Sequence, residues 1–303
     1  LIEILCATYN GARHLREQIT SIKAQGLKQW HVSFFDDGST DGTAEMLEEL
    51  VAEDSRFSLT RNAVNLGFCG NFLRNLGKLK PADAYAFSDQ DDIWYPDKLE
   101  RALNWLQTID ASVPAVYFAR TEVVDDDLNH LGLSPEFRLE PSFRNALVQS
   151  IGGGNTMMFN RAARDLIATC LPNVPLISHD WWFYIVVSGC GGVVRYDVNP
   201  VLKYRQHGSN VIGANSSAAG QFLRLWMAFK GQWRQWNNIH EEALSSLENR
   251  LTPENRDIFT AFKRARNGGW PFERLSVLNK AQIVRQSRLQ TKSLPVLALL
   301  NRL

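Results

Sequence analysis

The residues best suited to chemistry are acids at the ends of apolar runs. Ser88-Asp89-Gln90-Asp91-Asp92 follows directly on the strand-like run Ala84-Tyr85-Ala86-Phe87. An extended segment turns Asp89 and Asp91 to one side, where their oxygens can share a divalent ion whose remaining positions take phosphate oxygens. Without a cation the two carboxylates repel each other and one pKa rises. A solvated acidic turn is the simpler alternative, and Asp92 fits it, since Pro96-Asp97 already opens a helix. Asp36-Asp37-Gly38-Ser39-Thr40-Asp41-Gly42-Thr43 is a second acidic strand end. One of its carboxylates can accept the N3–H of a uracil or thymine ring; Asx-turn and N-cap chemistry is the alternative. His179-Asp180-Trp181-Trp182 sets an acid among aromatics that can form a sugar-stacking wall, either as general base toward a sugar hydroxyl or as a helix cap. In Tyr204-Arg205-Gln206-His207-Gly208-Ser209-Asn210 the guanidinium of Arg205 suits a diphosphate and the imidazole of His207 suits a metal or phosphate, although a lone His is more often structural.

These groups need elements to hold them. Residues 1–8 read as a buried strand, then a turn at Tyr9-Asn10-Gly11 and an amphipathic helix over 12–25. Strands follow at 31–35, 57–61 and 83–88, with helices to about 52 and over 68–79. This alternation predicts an α/β layer with a mostly parallel sheet, its polar clusters lying beyond the carboxyl ends of the strands, where open α/β sheets place ligands. A helix is expected from Pro96 to about 109, a strand at 115–119, and a loop-rich stretch over 122–148. Gly152-Gly153-Gly154-Asn155 precedes a small strand at 156–159 and a helix from Arg161. His179 opens an apolar helix to Val187, and 192–196 and 201–204 read as sheet edges. Helices are expected over about 218–249, 254–266 and 273–289, as a C-terminal extension to one catalytic domain. The boundary falls between residues 215 and 216.

Composition narrows the classes. With 303 residues, 45% of them hydrophobic, the chain can bury a large core, which excludes a disordered segment or a disulfide-stapled miniature. Charge is balanced at 33 Lys+Arg against 32 Asp+Glu, but residues 201–303 hold 16 of the basic and only 6 of the acidic groups. The first two thirds therefore suit a cation and the tail an anionic partner or surface. The four cysteines are widely spaced and form no CxxC, which suits a reducing compartment and a cytoplasmic location. No signal-peptide pattern and no run of about 20 apolar residues is present. Neither GxGxxG nor GxxxxGK[ST] occurs, which argues against dinucleotide binding and P-loop hydrolysis.

Taken in order, ATYNG at 7–11, DDGSTDGT at 36–43, SDQDDIWYPDK at 88–98, GGGN at 152–155, HDWW at 179–182 and YRQHGSNVIG at 204–213 resemble the inverting family 2 glycosyltransferases. Within them the chain is most similar to the bacterial rhamnosyltransferase-like branch that builds cell-surface polysaccharides. The resemblance spans about residues 1–215 and implies a GT-A fold, a sugar-nucleotide donor, and Mg²⁺ or Mn²⁺. It places Thr8, Tyr9 and Asn10 around base and ribose, Asp37 on the pyrimidine, and Asn155 and Arg205 on the donor side. Asp91 becomes the most direct metal ligand, with Asp89 on the ribose or metal shell and His207 near the metal or diphosphate. Asp180 corresponds to the catalytic base. The implied donor is dTDP-L-rhamnose, with a UDP-hexose or UDP-N-acetylhexosamine as the alternative. The implied acceptor is a growing glycan on a polyprenyl diphosphate or lipid A core.

The processive synthases' QxxRW motif is absent, so transfer of one or a few residues is expected. Phe222, Trp226, Phe229, Trp233 and Trp236 recur at helical spacing beside Arg224, Lys230 and Arg234. That stripe suits either packing onto the catalytic domain or a second subunit, or the cytoplasmic face of an anionic membrane. A metal-dependent nucleotidyltransferase and a non-catalytic glycan-binding protein are the competing classes. Nucleic-acid binding is not expected, because the tail carries no recognition motif.

Overall fold

The computed structural model describes residues 1–207 and 232–303. The boundary expected at 215/216, and Phe222, Arg224, Trp226, Phe229 and Lys230, lie outside the described residues.

The first ninety residues form alternating strands and helices: β1 (Ile2–Thr8), α1 (Leu15–Lys23), β2 (Trp30–Asp36), α2 (Thr43–Glu53), β3 (Phe57–Arg61), α3 (Gly67–Asn75) and β4 (Ala84–Ser88). In β1 successive side chains face opposite ways, and both sides are buried. Ile2, Ile4 and Cys6 enter one core with Leu15, Ile19 and Leu99, while Leu5 enters the other with Phe35, Phe72 and Phe87. A strand buried on both faces is what parallel pairing with helix crossovers requires. β1 pairs in parallel with β2 and β4, and β2 with β3.

Beyond β4 the sheet changes character. It continues through β5 (Ile93–Trp94), α4 (Lys98–Leu106), β6 (Ala115–Val124), β7 (His130–Leu133), α5 (Phe143–Ala146), β8 (Met158–Asn160), α6 (Arg161–Ala168), α7 (His179–Gly189) and β9 (Val193–Arg205). The strand order is β3-β2-β1-β4-β8-β6-β9-β5, with β7 hairpinned onto β6. β8 runs antiparallel to both β4 and β6, so the sheet is mixed, where a mostly parallel one was expected. The stretch expected to be loop-rich over 122–148 contains the end of β6, all of β7 and the short α5. The two expected sheet edges at 192–196 and 201–204 are one long strand, β9, lying between β6 and β5. Pro200 makes the strand look like two. It lacks an N–H, and the register slips there, Ala119 pairing with Asp197 but Arg120 with Pro200.

β5 was not expected, and it fixes the position of the acids. Only two residues long, it pairs antiparallel with β9, Ile93 opposite Lys203 and Trp94 opposite Leu202. The acidic segment 89–92 is thereby pinned between β4 and β5. Continuing the register brings Asp91 opposite Arg205, so the chain leaving β9 passes directly over the acids.

The C-terminal helices are α8 (Gln232–Ser245), α9 (Pro253–Asn267), α10 (Pro271–Ala281) and α11 (Arg288–Leu299). The helix expected over 273–289 ends at Ala281, where Gln282 in the left-handed conformation closes α10 and starts the turn, and α11 was not expected beyond residue 289. Their apolar faces join the α7 side of the sheet in a single core that runs from Phe159 and Trp182 to Phe259 and Leu297. Hydrogen bonds follow the same contact. Asn255 Nδ2 reaches the carbonyls of Ser188 and Gly189 at the end of α7, and Arg144 bonds both Ala281 O and Glu254. No helix among the described residues is long and apolar enough to cross a membrane.

Candidate functional site

A cleft of ≈1660 Å³ opens along the carboxyl ends of β1 and β4 and extends to the C-terminal helices. Thr8, Tyr9, Asn10, Asp37, Asp89, Asp91, Asn155, Asp180 and His207 all line it. Of the residues expected in the site, Arg205 and Trp182 are missing from its lining.

The β1 loop forms one wall. Asn10 adopts a left-handed φ of 50°, which Asn tolerates better than most residues. Its Oδ1 accepts from Thr40 N at 2.8 Å, while its own N–H donates to Ser39 Oγ at 2.8 Å, tying this loop to the second acidic cluster. Gln90 clamps the other side, its Oε1 accepting from Tyr9 N (2.9 Å) and its Nε2 donating to Tyr9 O (3.0 Å). That clamp dictates a glycine: a Cβ on Gly11 would stand 2.2 Å from Gln90 Oε1. Gln90 was not anticipated, since a Gln between acids shows no signal until the two loops meet. The Thr8 side chain turns inward to Asp36 Oδ2, at 3.1 Å, leaving Tyr9, 52% exposed, as the open surface of this wall.

Asp36 and Asp37 divide their roles. Asp36 accepts from Gly38 N, Ser39 N, Ser39 Oγ and Thr8 Oγ1, the Asx-turn alternative. Asp37 is buried and receives Leu66 N and Gly67 N at 2.8 Å and Asn62 Nδ2 at 2.9 Å. It caps the N-terminus of α3, where a negative charge is favoured. With these donors on two oxygens, little acceptor capacity remains for a pyrimidine N–H. Asp37, expected on the pyrimidine, lines the cleft and also organises the 62–67 loop, whose Asn65 and Gly67 face the same space.

The acids of 89–92 form the charged centre. Burial, then Asp91, then Asp180 push the Asp89 carboxyl up to about 8, with Lys98 opposing. Asp92 is buried and also raised well above the ordinary carboxylate range, by desolvation and by Asp91 and Asp89. One Asp92 oxygen takes Asn155 Nδ2 at 2.7 Å and the other has no partner among the described residues. Lys98 lies beneath, its ammonium 3.4 Å from the Trp94 ring centroid, and desolvation lowers it to about 7 despite the acids around it. Asn155 thus holds the acidic segment in place.

His207 Nε2 lies 2.8 Å from Asp91 Oδ2, and this contact, ahead of the opposing burial, raises its pKa. The donor set suits a divalent cation: one hard carboxylate oxygen and one imidazole nitrogen, adjacent at the cleft, beside the Asp89 carboxyl, whose pKa burial and the neighbouring acids raise. No trio of His, Cys, Asp or Glu converges among the described residues, so water and substrate oxygens would complete the shell, as Mg²⁺ prefers. Arg205 serves this pair from behind. Its Nε donates to Asp91 O at 3.1 Å, and its other nitrogens bond Asp126 O and the Glu17 carboxylate. The guanidinium, expected on the diphosphate, is engaged inside the protein, where it positions the chain at Asp91. Arg13 and His14 do line the cleft, and both were missed in the sequence; burial and the Arg205 charge lower the His14 pKa, which favours the neutral ring. Arg13 pairs with Asp126, and His14 stacks on His207 at 5.2 Å.

Asp180 opens α7 from the opposite wall. Its Oδ2 accepts from Gly154 N at 3.1 Å and its Oδ1 from Ser178 Oγ and Trp181 N. Burial nevertheless raises its pKa, and those three donors offset the rise only in part. A carboxylate so placed is a stronger base than one in water. Gly154 is held by His179, whose Nε2 would lie 2.0 Å from a Cβ there. His179 is fully buried, stacked on Phe72 at 4.1 Å, and driven down to about 3 by desolvation, so it packs as a neutral ring. Trp181 and Trp182, expected as a sugar-stacking wall, differ: Trp182 is fully buried in the core, and Trp181 alone reaches the cleft.

Trp233 and Trp236, the described half of the aromatic stripe, face inward too. Trp233 lies under the Arg285 guanidinium at 4.0 Å and Trp236 meets Trp181 edge-on at 6.2 Å. In this half the packing alternative holds, and no indole of the pair faces outward to lipid.

Over 238 residues the chain is 28% identical to the dTDP-rhamnosyl transferase RfbG of Shigella flexneri, covering 75% of this chain and 80% of that one. It is 24% identical over 241 residues to the putative teichuronic acid biosynthesis glycosyltransferase TuaG of Bacillus subtilis, covering 79% and 88%. The fold matches that of S. aureus TarS 1–349 in complex with UDP-GlcNAc, with a TM-score of 0.62, 14% identity, and coverage of 99% and 88%. It also matches the mannosyltransferase PcManGT from Pyrobaculum calidifontis in complex with GDP-Man and Mn²⁺, with a TM-score of 0.55, 14% identity, and coverage of 99% and 85%. The sheet is thus the GT-A fold with a helical C-terminal extension. Residues 3–167 match the model of glycosyl transferase family 2, more than half the chain, and the protein belongs to that family.

Proposed function

We propose that this family 2 glycosyltransferase is an inverting, metal-dependent enzyme that transfers L-rhamnose from dTDP-L-rhamnose to a growing lipid-linked or cell-surface glycan. The observation that carries the reading is the shared cleft: Asp91 and His207 in contact on one wall, the raised carboxyl of Asp180 on the other, and the β1 loop between them. The similarity to the Shigella rhamnosyl transferase supports the donor.

Each wall then has a task. Tyr9, Asn10 and the 62–67 loop receive the nucleoside, and Arg13 and His14 face its diphosphate. Asp91 and His207 would hold the divalent ion, which when bound offsets charge developing on the leaving diphosphate. Asp180 takes the proton of the acceptor hydroxyl as that oxygen bonds to the anomeric carbon and the bond to the diphosphate breaks. Attack from the face opposite the nucleotide inverts the configuration. Three donors favour the ionised form of Asp180, and burial makes that form more basic.

The test is binding of dTDP-L-rhamnose, UDP-glucose, UDP-N-acetylglucosamine, dTDP and UDP with Mn²⁺, for the wild type and for Asp91→Ala. Selective, metal-dependent binding of dTDP-L-rhamnose, weakened at least tenfold by the substitution, is expected. A preference for UDP-sugars replaces the donor and leaves the mechanism standing; no nucleotide binding with metal overturns the reading.

A further inference from the structure

The outer face of the C-terminal helices carries residues that neither the cleft nor the core employs. α10 and α11 each bury one side, through Leu278 and Ala281 on the first and Leu294, Leu297 and Ala298 on the second. On the opposite side of α11 Leu289, Lys292, Val296 and Leu299 are all exposed, and their three- and four-residue spacing puts them on one face. At the start of α10 Trp270 and Phe272 are 76% and 80% exposed, the most open large apolar side chains among the described residues. Arg274 ties that start to the end of α11, its Nη1 donating to Ala298 O at 3.5 Å and its backbone N–H to Trp270 O at 3.1 Å. The two aromatics and the α11 stripe therefore meet at one end of the pair. Single exposed apolar residues are ordinary, but a group of this kind marks an interaction surface.

The same stretch is strongly basic. Residues 268–303 contain six Lys and Arg and one acid, Glu273, whose carboxylate is taken by Arg264 at 2.8 Å. Lys280, Arg288, Lys292 and Arg302 are exposed. A second copy docking here by two-fold contact would set these cations against their own images, which opposes self-association. An acidic bilayer suits both components, since apolar side chains enter it at headgroup level while cations meet the acidic headgroups.

We propose that the outer face of α10 and α11 docks on an anionic lipid bilayer, with Trp270 and Phe272 in the interface and Lys280, Arg288, Lys292 and Arg302 on its headgroups. This surface is separate from the aromatic stripe, whose described half faces inward. Gln290 and Leu294, on the other side of α11, line the cleft. Docking thus sets the cleft about one helix diameter, roughly 10–12 Å, from the headgroups. Presentation of a lipid-linked acceptor to the cleft rests on the glycosyl-transfer reading; the docking itself does not.

The experiment is flotation of the full chain with vesicles of phosphatidylcholine, alone or with phosphatidylglycerol added, at low and at high salt. The wild type should bind the acidic vesicles at least tenfold better than the neutral ones, and salt should release it. Each basic side chain near an acidic surface is worth about a fivefold factor, so Lys280→Gln with Lys292→Gln should lower binding at least tenfold. Trp270→Ser with Phe272→Ser should lower it at least fivefold. An unchanged Tm shows that both variants fold. The proposal is overturned if the wild type does not float with acidic vesicles, or if both variants float as the wild type does. It is equally overturned if light scattering without vesicles shows a dimer that Trp270→Ser with Phe272→Ser dissolves, which assigns the face to a second copy. Binding of dTDP and UDP with Mn²⁺, measured alongside, tests the glycosyltransferase reading alone: its absence strikes that reading and leaves the flotation result standing.

Discussion

At Asp180 opposing effects set the chemistry. Burial raises the carboxyl while hydrogen bonds from Ser178, Trp181 and Gly154 lower it, and burial prevails. The base form is the ionised one, so the rate should climb with pH through a value above the ordinary aspartate value of 3.8 and level off beyond it. Removing one donor disfavours the ionised form further. Ser178→Ala should therefore move the acidic limb of the kcat/KM profile to higher pH while keeping most of the plateau rate, and a limb that stays in place or moves down would exclude Asp180 as the titrating base. Asp180→Asn should lower kcat by about 10²–10⁴ with nucleotide affinity kept, the usual scale of general-base loss. The place of this residue at the start of an aromatic helix was legible in the sequence. For Arg205 and Asp37 residue type told what they can bind, while register and the 62–67 loop decided which protein groups they also bind.

The element that fixes Asp180 is the turn at 152–156, whose short 3₁₀ helix Gly154–Thr156 leads into β8. Gly154 offers its N–H to the base and leaves room for the buried His179 ring. In Gly154→Ala the new Cβ meets that ring at 2.0 Å, and neither Phe72 nor Phe87 leaves His179 space to retreat. Overpacking of this kind costs about 1–3 kcal/mol. The expected result is a lower Tm together with a fall in kcat, since the turn and Asp180 must part; unchanged kcat would show that the contact does not position the base. The strand ends of the parallel half were readable because period and acid clusters coincide there. β5 and the length of β9 were not, since a two-residue strand has no period of its own and Pro200 interrupts the pattern of the other.

For the molecule as a whole, the C-terminal helices share one core with α7, and His240 lies at that junction. Packed on Trp181 and close to the Arg266 charge, it is driven down to about 3, chiefly by burial, and neither ring nitrogen has a partner among the described residues. In the unfolded chain the same ring titrates at 6.5. Its folded pKa is the lower of the two, so only the unfolded state gains a proton as pH falls below 6.5, and stability drains away until the pH approaches 3. At pH 5 the loss from this one group is about 2 kcal/mol, from about 1.36 kcal/mol per pKa unit. His179, lowered in the same way, adds a loss of the same sign from the other side of α7. Chemical denaturation at pH 7.5 and pH 5 should therefore show a marked acid weakening in the wild type. In His240→Leu, which cannot take the proton, that pH difference should shrink by about 2 kcal/mol, whatever the substitution does to stability at pH 7.5. An unchanged difference would mean that the junction opens to water before the sheet does, and that the helices and the catalytic layer do not unfold as one body.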